Sequence, residues 1–509
     1  MLPALALLGA APERADLILR GGTIYTGDAA AFVGDVAVVG DRIRYVGRSA
    51  PMPARRVIDA RGMIVAPGFI DPHAHVGDML ASPEPRDRII LPFVMQGVTT
   101  AFIGNDGGGA PEIADTLAQR AGAVGINFAS YVGFGAVRQR VVGAADRAPD
   151  AAEVARMKAL VVGAMCQGAL GLSSGLFYAP QSFARTDEVV ALALVAARAG
   201  GRYDTHIRDE SSYGIGLAAA VDEAIEIGRR ARLPVNISHI KALGIDVQGQ
   251  ATAIIAKVEA ARARGLHVTA DQYPWDASGT SLVAALVPRW AQDGGRQALL
   301  ARLADPALAS RLRADITENL RRRGGAGALL ITEGAAKGLR LSELARRHRG
   351  DAVAAAIAVI GIADPAVVSF SQSERDIAAF MARRWVMTGS DASPGHPRMY
   401  GSFARKYAEY VRKRRVLTLQ HFVHRSATLT ADTFGLADRG RLRRGAFADI
   451  VVFDPARYAA QADYAAPERL ASGVRTVVVN GVLAVDGGSP TGAAAGRALR
   501  HRPREGACR

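Results

Sequence analysis

From about residue 67 to about residue 440 the chain alternates apolar segments of strand length with amphipathic segments of helix length. This alternation restricts it to a parallel α/β fold. Eight strand segments are legible, at 68–71, 99–103, 126–132, 169–173, 202–205, 234–238, 267–270 and 385–388. Helical stretches at 110–123, 152–167, 187–199, 217–232 and 252–264 fill the intervals, each near the length that one barrel helix requires. Eight such units predict a (β/α)8 TIM-like barrel over 67–440, with its active site where the strands end. More than a hundred residues separate the seventh strand from the eighth, and the charged, helix-favouring runs at 291–323 and 340–362 predict a mostly helical insertion over about 283–365.

Both ends of the chain read as β-structure. Short strands are expected at 17–19, 23–25, 35–39 and 42–46, with Gly21-Gly22 and Gly40-Asp41 as the turns between them. Near the other end, 449–453 reads as a strand, and Thr476-Val-Val-Val before Asn480-Gly481 is a hairpin signal. An isolated hairpin is only marginally stable, so segments 15–66 and 441–495 are expected to combine in one small β-sandwich. Residues 1–14 resemble the latter part of a secretion signal without a positive start, so export and a cytoplasmic location both stay open. Residues 496–509 form a polar tail. The two cysteines, Cys166 in a helical stretch and Cys508 in that tail, predict no disulfide framework and no cysteine-based zinc motif. No apolar run approaches the ~18 residues of a membrane span. The net charge of +15 comes from arginines scattered through helices rather than gathered with aromatics, which argues against nucleic acid.

Strand ends carry the chemistry. Asp71, His73 and His75 follow strand one, Asn105 and Asp106 strand two, His206 strand five, His239 and Lys241 strand six, and Asp391 strand eight. Four of the ten histidines therefore fall at strand ends, where chance would scatter them, and this favours a metal site. His73 and His75 are two apart, so an extended backbone points both imidazoles the same way. His-x-His alone is a weak signal, and its place at the mouth of strand one is what gives it weight. A Gly-rich turn would explain Asp106, and a helix cap would explain Asp391, without any metal. Strand three ends in Gly133-Phe134-Gly135 and supplies no ligand.

Pro67-Gly-Phe-Ile-Asp-Pro-His-Ala-His75 resembles the first-strand signature of the amidohydrolase superfamily. Gly171-Leu-Ser-Ser-Gly-Leu176, Thr205-His-Ile-Arg-Asp-Glu210, Ile237-Ser-His-Ile-Lys241, Asp271-Gln-Tyr-Pro274 and Gly389-Ser-Asp391 with His396-Pro-Arg398 resemble its N-acyl-D-amino-acid deacylase (D-aminoacylase) branch. The likeness runs in order from about residue 15 to 490. It implies a β-sandwich plus barrel, and one or two zinc ions held by His73, His75, Asp106, His206, His239 and Asp391. Many members of the superfamily bridge their metals with a lysine from strand four, and this strand has none, which argues against a hydantoinase. The branch commonly carries cysteine where this chain has Asp106, and a carboxylate there can still ligate zinc through oxygen.

The resemblance implies hydrolysis of the amide of an N-acyl-D-amino acid, a small-molecule substrate. Asp391 would take the proton of the attacking water and return it to the leaving amine. Lys241, Tyr273 and Arg398 would hold the substrate carboxylate. Plain packing beside Pro274 for Tyr273, and a loop-anchoring ion pair for Arg398, are the competing readings. A related hydrolase of a D-peptide, lactam or ester, and a catalytically silent barrel, are the alternative functions.

Overall fold

The computed structural model describes residues 14–120 and 122–508. The proposed signal remnant lies almost wholly outside these residues. Eight short parallel strands form the barrel: Phe69–Asp71, Val98–Ile103, Asn127–Ser130 continued by Val132–Gly133, Gly171–Gly175, Arg202–His206, Val235–Ile237, Val268–Gln272 and Val386–Thr388. They pair in sequence order, and the third strand hands over from the second to the fourth at Tyr131. Nearly every strand residue is buried, as parallel strands covered by helices require.

The helices outside the strands follow from local sequence. Helix Ala151–Cys166 begins in a capping box: Asp150 accepts from the Glu153 amide at 2.7 Å, and Glu153 accepts from the Asp150 amide at 2.9 Å. Helix Leu217–Ala231 buries Leu217, Ala220, Val221, Ala224, Ile227, Gly228 and Ala231, the three-and-four spacing of a single face. The ring closes between strands eight and one through the backbone: the Asp391 amide donates to the His73 carbonyl, and the His75 amide to the Ala392 carbonyl, both at 2.9 Å. The seam of the barrel thus runs through three of the predicted ligands.

The two chain ends share one nine-stranded sheet. Strand Ile64–Pro67 lies between Ala15–Ile24 and Ile450–Phe453, and one residue later the chain enters the first barrel strand. Two expected strands, 17–19 and 23–25, are one strand, because Gly21-Gly22 makes a bulge inside it rather than a turn. Asn480-Gly481 does make a two-residue hairpin turn, with φ of 47° and 84° at its centre. The insertion contains helices Gly295–Ala304, Ala309–Arg322, Leu341–Arg347 and Ala352–Ile362. It also carries an antiparallel sheet of Ala277–Ser281, Ala366–Phe370 and Leu329–Ile331, which the helix-favouring composition did not foreshadow. It packs around a core of its own, including Leu286, Leu299, Leu312, Ile316, Leu329 and Ile360.

The expectation of no disulfide is overturned, because Cys166 is bonded to Cys508. The cause lies in the tail, whose polar composition concealed a fixed path. Its amides and carbonyls bond to Val124, Phe128, Gly168 and Ala199, next to the starts of strands three, four and five. This run along the floor of the barrel brings Cys508 to the last turn of helix Ala151–Cys166. A crosslink of this kind contributes about 2–4 kcal/mol, in the chain-entropy view by restricting the unfolded chain. The Cys508→Ser variant is therefore expected to lower the denaturation midpoint measurably while leaving turnover at 25 °C unchanged, since the bond lies at the end of the barrel opposite the strand-end cluster. An unchanged midpoint would show that the tail's hydrogen bonds suffice.

Candidate metal centre

The predicted residues converge at the C-terminal mouth of the barrel, and Asp106 is their hub. Its carboxylate faces His73 Nε2 at 3.4 Å, His75 Nε2 at 3.5 Å, His239 Nε2 at 3.6 Å and His206 Nδ1 at 4.0 Å. Asp391 Oδ1 approaches His75 Nε2 at 3.2 Å and His73 Nε2 at 3.7 Å. One ligand atom from each of His73, Asp106, His239 and Asp391 lies within 4.8 Å of the others. His206, Glu210 and His239 form a second such group, on the other nitrogen of the His239 ring.

Local backbone geometry aims these groups. Asp106, His239 and Asp391 all have left-handed φ, of 55°, 37° and 49°, a conformation costly to non-glycine residues and concentrated at functional sites. The turn after strand two is held by Gln181, whose amide donates to the Asp106 carbonyl at 2.9 Å and whose oxygen accepts from Gly175 at 2.7 Å. A Cβ on Gly107 would lie 2.1 Å from that side chain, so glycine is required there. Asp106 is thus a turn residue and a member of the cluster at once.

Beneath the mouth lies a layer of fully buried carboxylates. Asp71 accepts from the amides of His73 and Ser390 at 3.2 and 3.0 Å, and Asp271 accepts from the His239 amide at 3.0 Å. Asn236 joins Asp204 to Asp271 through bonds of 2.8 and 2.7 Å, and Asn105 donates to Asp204 at 3.0 Å. Burial pushes Asp71 up to about 7 and Asp204 up to about 6. This layer fixes the backbone from which the imidazoles project.

The electrostatics call for a cation. Burial works against protonation of His75 and His239, yet the facing carboxylates outweigh it and lift them to about 9 and about 10. His206 is pushed down to about 3, mainly by burial. Burial opposes ionisation of Asp391 as well, but Arg398, His239, His75 and His73 hold its carboxyl well below the usual range. Protons on imidazoles here stand in for positive charge that a metal would supply. His73 Nε2, His206 Nε2 and Asp106 Oδ1 are buried without a hydrogen-bond partner, so imidazole and carboxylate groups of zinc-binding type are turned inward and unsatisfied. The residues present fit a divalent cation.

Around this centre lies a cavity of about 310 Å³. Arg398 reaches Asp391 Oδ2 at 2.5 Å and Ser393 Oγ at 2.9 Å. Lys241 Nζ meets Glu210 Oε1 at 2.5 Å and His239 Nδ1 at 2.7 Å. The Tyr273 ring lies 5.1 Å from the Arg398 guanidinium carbon and 5.7 Å from Lys241 Nζ, and its hydroxyl accepts from Gln372 at 3.0 Å. Sequence reasoning assigned no role to Glu210, although it ends the quoted Thr205–Glu210 motif: it sits four residues past His206, in a loop whose path only the fold decides. It also passed over Asp204 and Asn236, buried residues of strands five and six; Asn236, polar between Val235 and Ile237, offered a signal, whereas Asp204 stands in a strand that is polar throughout.

The sequence profile of the amidohydrolase family matches residues 56–485. D-aminoacylase of Alcaligenes xylosoxydans xylosoxydans is 33% identical over 95% of this chain and 97% of its own length. N-acyl-D-glutamate deacylase of the same organism is also 33% identical, over 96% and 97%. A solved structure of N-acyl-D-glutamate deacylase from Bordetella bronchiseptica, complexed with zinc and a phosphonate mimic of the tetrahedral intermediate, is 30% identical. It superposes with a TM-score of 0.82, covering 96% of this chain and all of that one. With strand-end imidazoles and carboxylates gathered on one barrel mouth and a match that spans most of its length, this chain belongs to the amidohydrolase family.

Proposed function

We propose that the protein is a zinc-dependent deacylase that hydrolyses the amide of N-acyl-D-amino acids to a carboxylate and a free D-amino acid. The observation that carries this reading is the convergence of four imidazoles on Asp106, with partnerless buried nitrogens and oxygen facing one another. Similarity along the whole chain to proteins named for this activity supports it. A small molecule suits a cavity of this volume, and many surface arginines are spent on neighbouring carboxylates rather than offered to nucleic acid. No helix of the described residues is long and apolar enough to cross a membrane.

His73, His75, Asp106, His206, His239 and Asp391 would hold one or two zinc ions. Zinc, when bound, supplies Lewis acidity to the scissile carbonyl and makes the attacking water more acidic. Asp391 accepts the proton of that water as its oxygen adds to the carbonyl carbon, and delivers it to the amine nitrogen as the C–N bond breaks. Arg398 and Lys241 receive the substrate α-carboxylate. Tyr273, ring against both and hydroxyl held by Gln372, keeps the two cations in place. An arginine fork that grips a carboxylate fixes orientation as well as charge, and so helps select one enantiomer.

Metal analysis of the purified protein, together with hydrolysis of paired D and L N-acetyl-amino acids, tests the whole reading. Bound zinc and D-selective turnover are expected, with chelation abolishing activity. His206→Ala and His239→Ala should each lower both zinc content and turnover in a folded protein, and full activity with unchanged zinc in both would remove the proposed site. Asp391→Asn should reduce kcat by about 100- to 10,000-fold, because an amide cannot take the water's proton; a loss under about tenfold would leave Asp391 a structural role. Arg398→Lys should raise KM for N-acetyl-D-amino acids far more than for their methyl esters. An equal penalty on acid and ester would instead favour a peptide, lactam or ester substrate.

A further inference from the structure

One lysine and two arginines line the cavity, and they are not equivalent. Lys241 and Arg398 each end on a carboxylate at 2.5 Å. Arg323 has no carboxylate partner among the described residues, although it is only 2% exposed. Its Nε donates to the Tyr213 hydroxyl at 2.5 Å, and its Nη1 lies 3.5 Å from Ser278 Oγ. Tyr213 in turn donates to the Ala285 carbonyl at 2.9 Å, so the guanidinium is held in place by a neutral group that leaves its charge unspent.

A second arginine adds to the same field. Arg289 lies 4.0 Å over the ring of Phe177, and its Nη1 is buried with no partner. Phe177 stacks on His206 at 5.6 Å and meets Tyr213 at 5.3 Å, so both arginines stand next to the metal centre across one aromatic layer. Arg323, Arg289 and Ser278 all come from the segment between strands seven and eight. A buried guanidinium without a counter-ion is costly to a folded protein, and a ligand that brings the counter-ion removes that cost.

Charge balance points the same way. Lys241, Arg323 and Arg398 are matched on the cavity wall by Asp106, Glu210 and Asp391. With the imidazoles neutral and a single divalent cation bound, two positive charges would remain, of which the α-carboxylate of an N-acyl-amino acid neutralises one. Leu243, Val367 and Val368 also line the cavity, so an aliphatic side chain is the rival occupant. Such a side chain would cover Arg323 and strip its remaining water without pairing it.

We propose that Arg323 receives the side-chain carboxylate of the substrate, so that the enzyme takes N-acyl-D-amino acids with acidic side chains, of the glutamate or aspartate kind, in preference to neutral ones. This assignment rests on the deacylase reading. Similarity does not choose the side chain, since relatives named for D-amino acids in general and for D-glutamate are equally alike to this chain.

The test is kcat/KM of the zinc-loaded, full-length enzyme on N-acetyl-D-glutamate, N-acetyl-D-aspartate, N-acetyl-D-glutamine and N-acetyl-D-methionine, for wild type, Arg323→Gln and Arg323→Lys. Wild type should favour glutamate or aspartate over glutamine and methionine by roughly 10- to 100-fold, the range of a hydrogen bond to a charged group. Arg323→Gln should erase that ratio, chiefly through KM of the acidic substrate, and Arg323→Lys should restore part of it. Equal or better use of glutamine or methionine by wild type, or a ratio unmoved in a folded Arg323→Gln, overturns the assignment and leaves the deacylase reading intact. Should Arg323→Gln fail to fold, Arg323→Lys decides the matter: a lowered ratio supports the assignment and an unmoved one overturns it. Hydrolysis of none of the four by zinc-loaded wild type overturns the deacylase reading and this assignment together.

Discussion

Carboxylates removed from water must be paired with positive charge or strong donors, and at the mouth of this barrel Asp106, Glu210 and Asp391 are brought within a few ångströms of four imidazoles. Most other features of the structure serve that arrangement. The buried layer of Asp71, Asp204 and Asp271 accepts from the amides and asparagines that orient the loops bearing His73, His239 and Asp391. Because the His73 carbonyl also accepts the Asp391 amide, closing the barrel and setting the site are one event. Removing a buried carboxylate in this layer would therefore disturb the shape of the mouth as well as its charge.

The segment between strands seven and eight can vary without threatening this frame. It has its own core and its own three-stranded sheet, so it folds onto the mouth without contributing a strand to the ring. From it come Ser278, Gly279, Arg323 and Val367, which line the cavity. The imidazoles and Asp391 belong to the barrel itself. Division of labour between strand ends and a loop-borne wall is a general property of barrels, because the strands fix positions and the loops are free to differ.

At the opposite end, stability is secured by contacts that have no part in the chemistry. The tail runs past the starts of strands three to five and is bonded covalently to the helix between strands three and four. Asn480, in the hairpin of the terminal sheet, donates to the Asn127 side chain at 2.7 Å, while Arg439 pairs with Asp449 and donates to Asn480 at 2.9 Å. A buried polar network of this kind joins the small sheet to the third barrel strand.

Local pattern alone determined a great deal of this protein. Strand and helix periodicity set the eight βα units, since a strand buried on both faces is a short apolar run and a barrel helix is an amphipathic one. The placement of His73, His75, His206, His239 and Asp391 at strand ends was legible for the same reason, because a parallel barrel puts all strand ends on one face. Only the tertiary structure decided which atoms meet. The pairing of Lys241 with Glu210 and of Arg398 with Asp391, against an Arg323 left without a carboxylate, depends on loop paths and on an insertion whose docking has no periodicity to read. The Cys166–Cys508 bond was hidden likewise, since the two residues stand 342 positions apart and the tail's course is fixed by backbone hydrogen bonds that any sequence of polar residues can make. Residue type and strand position are local properties of a chain, whereas the partner of a buried charge is a property of the packed whole.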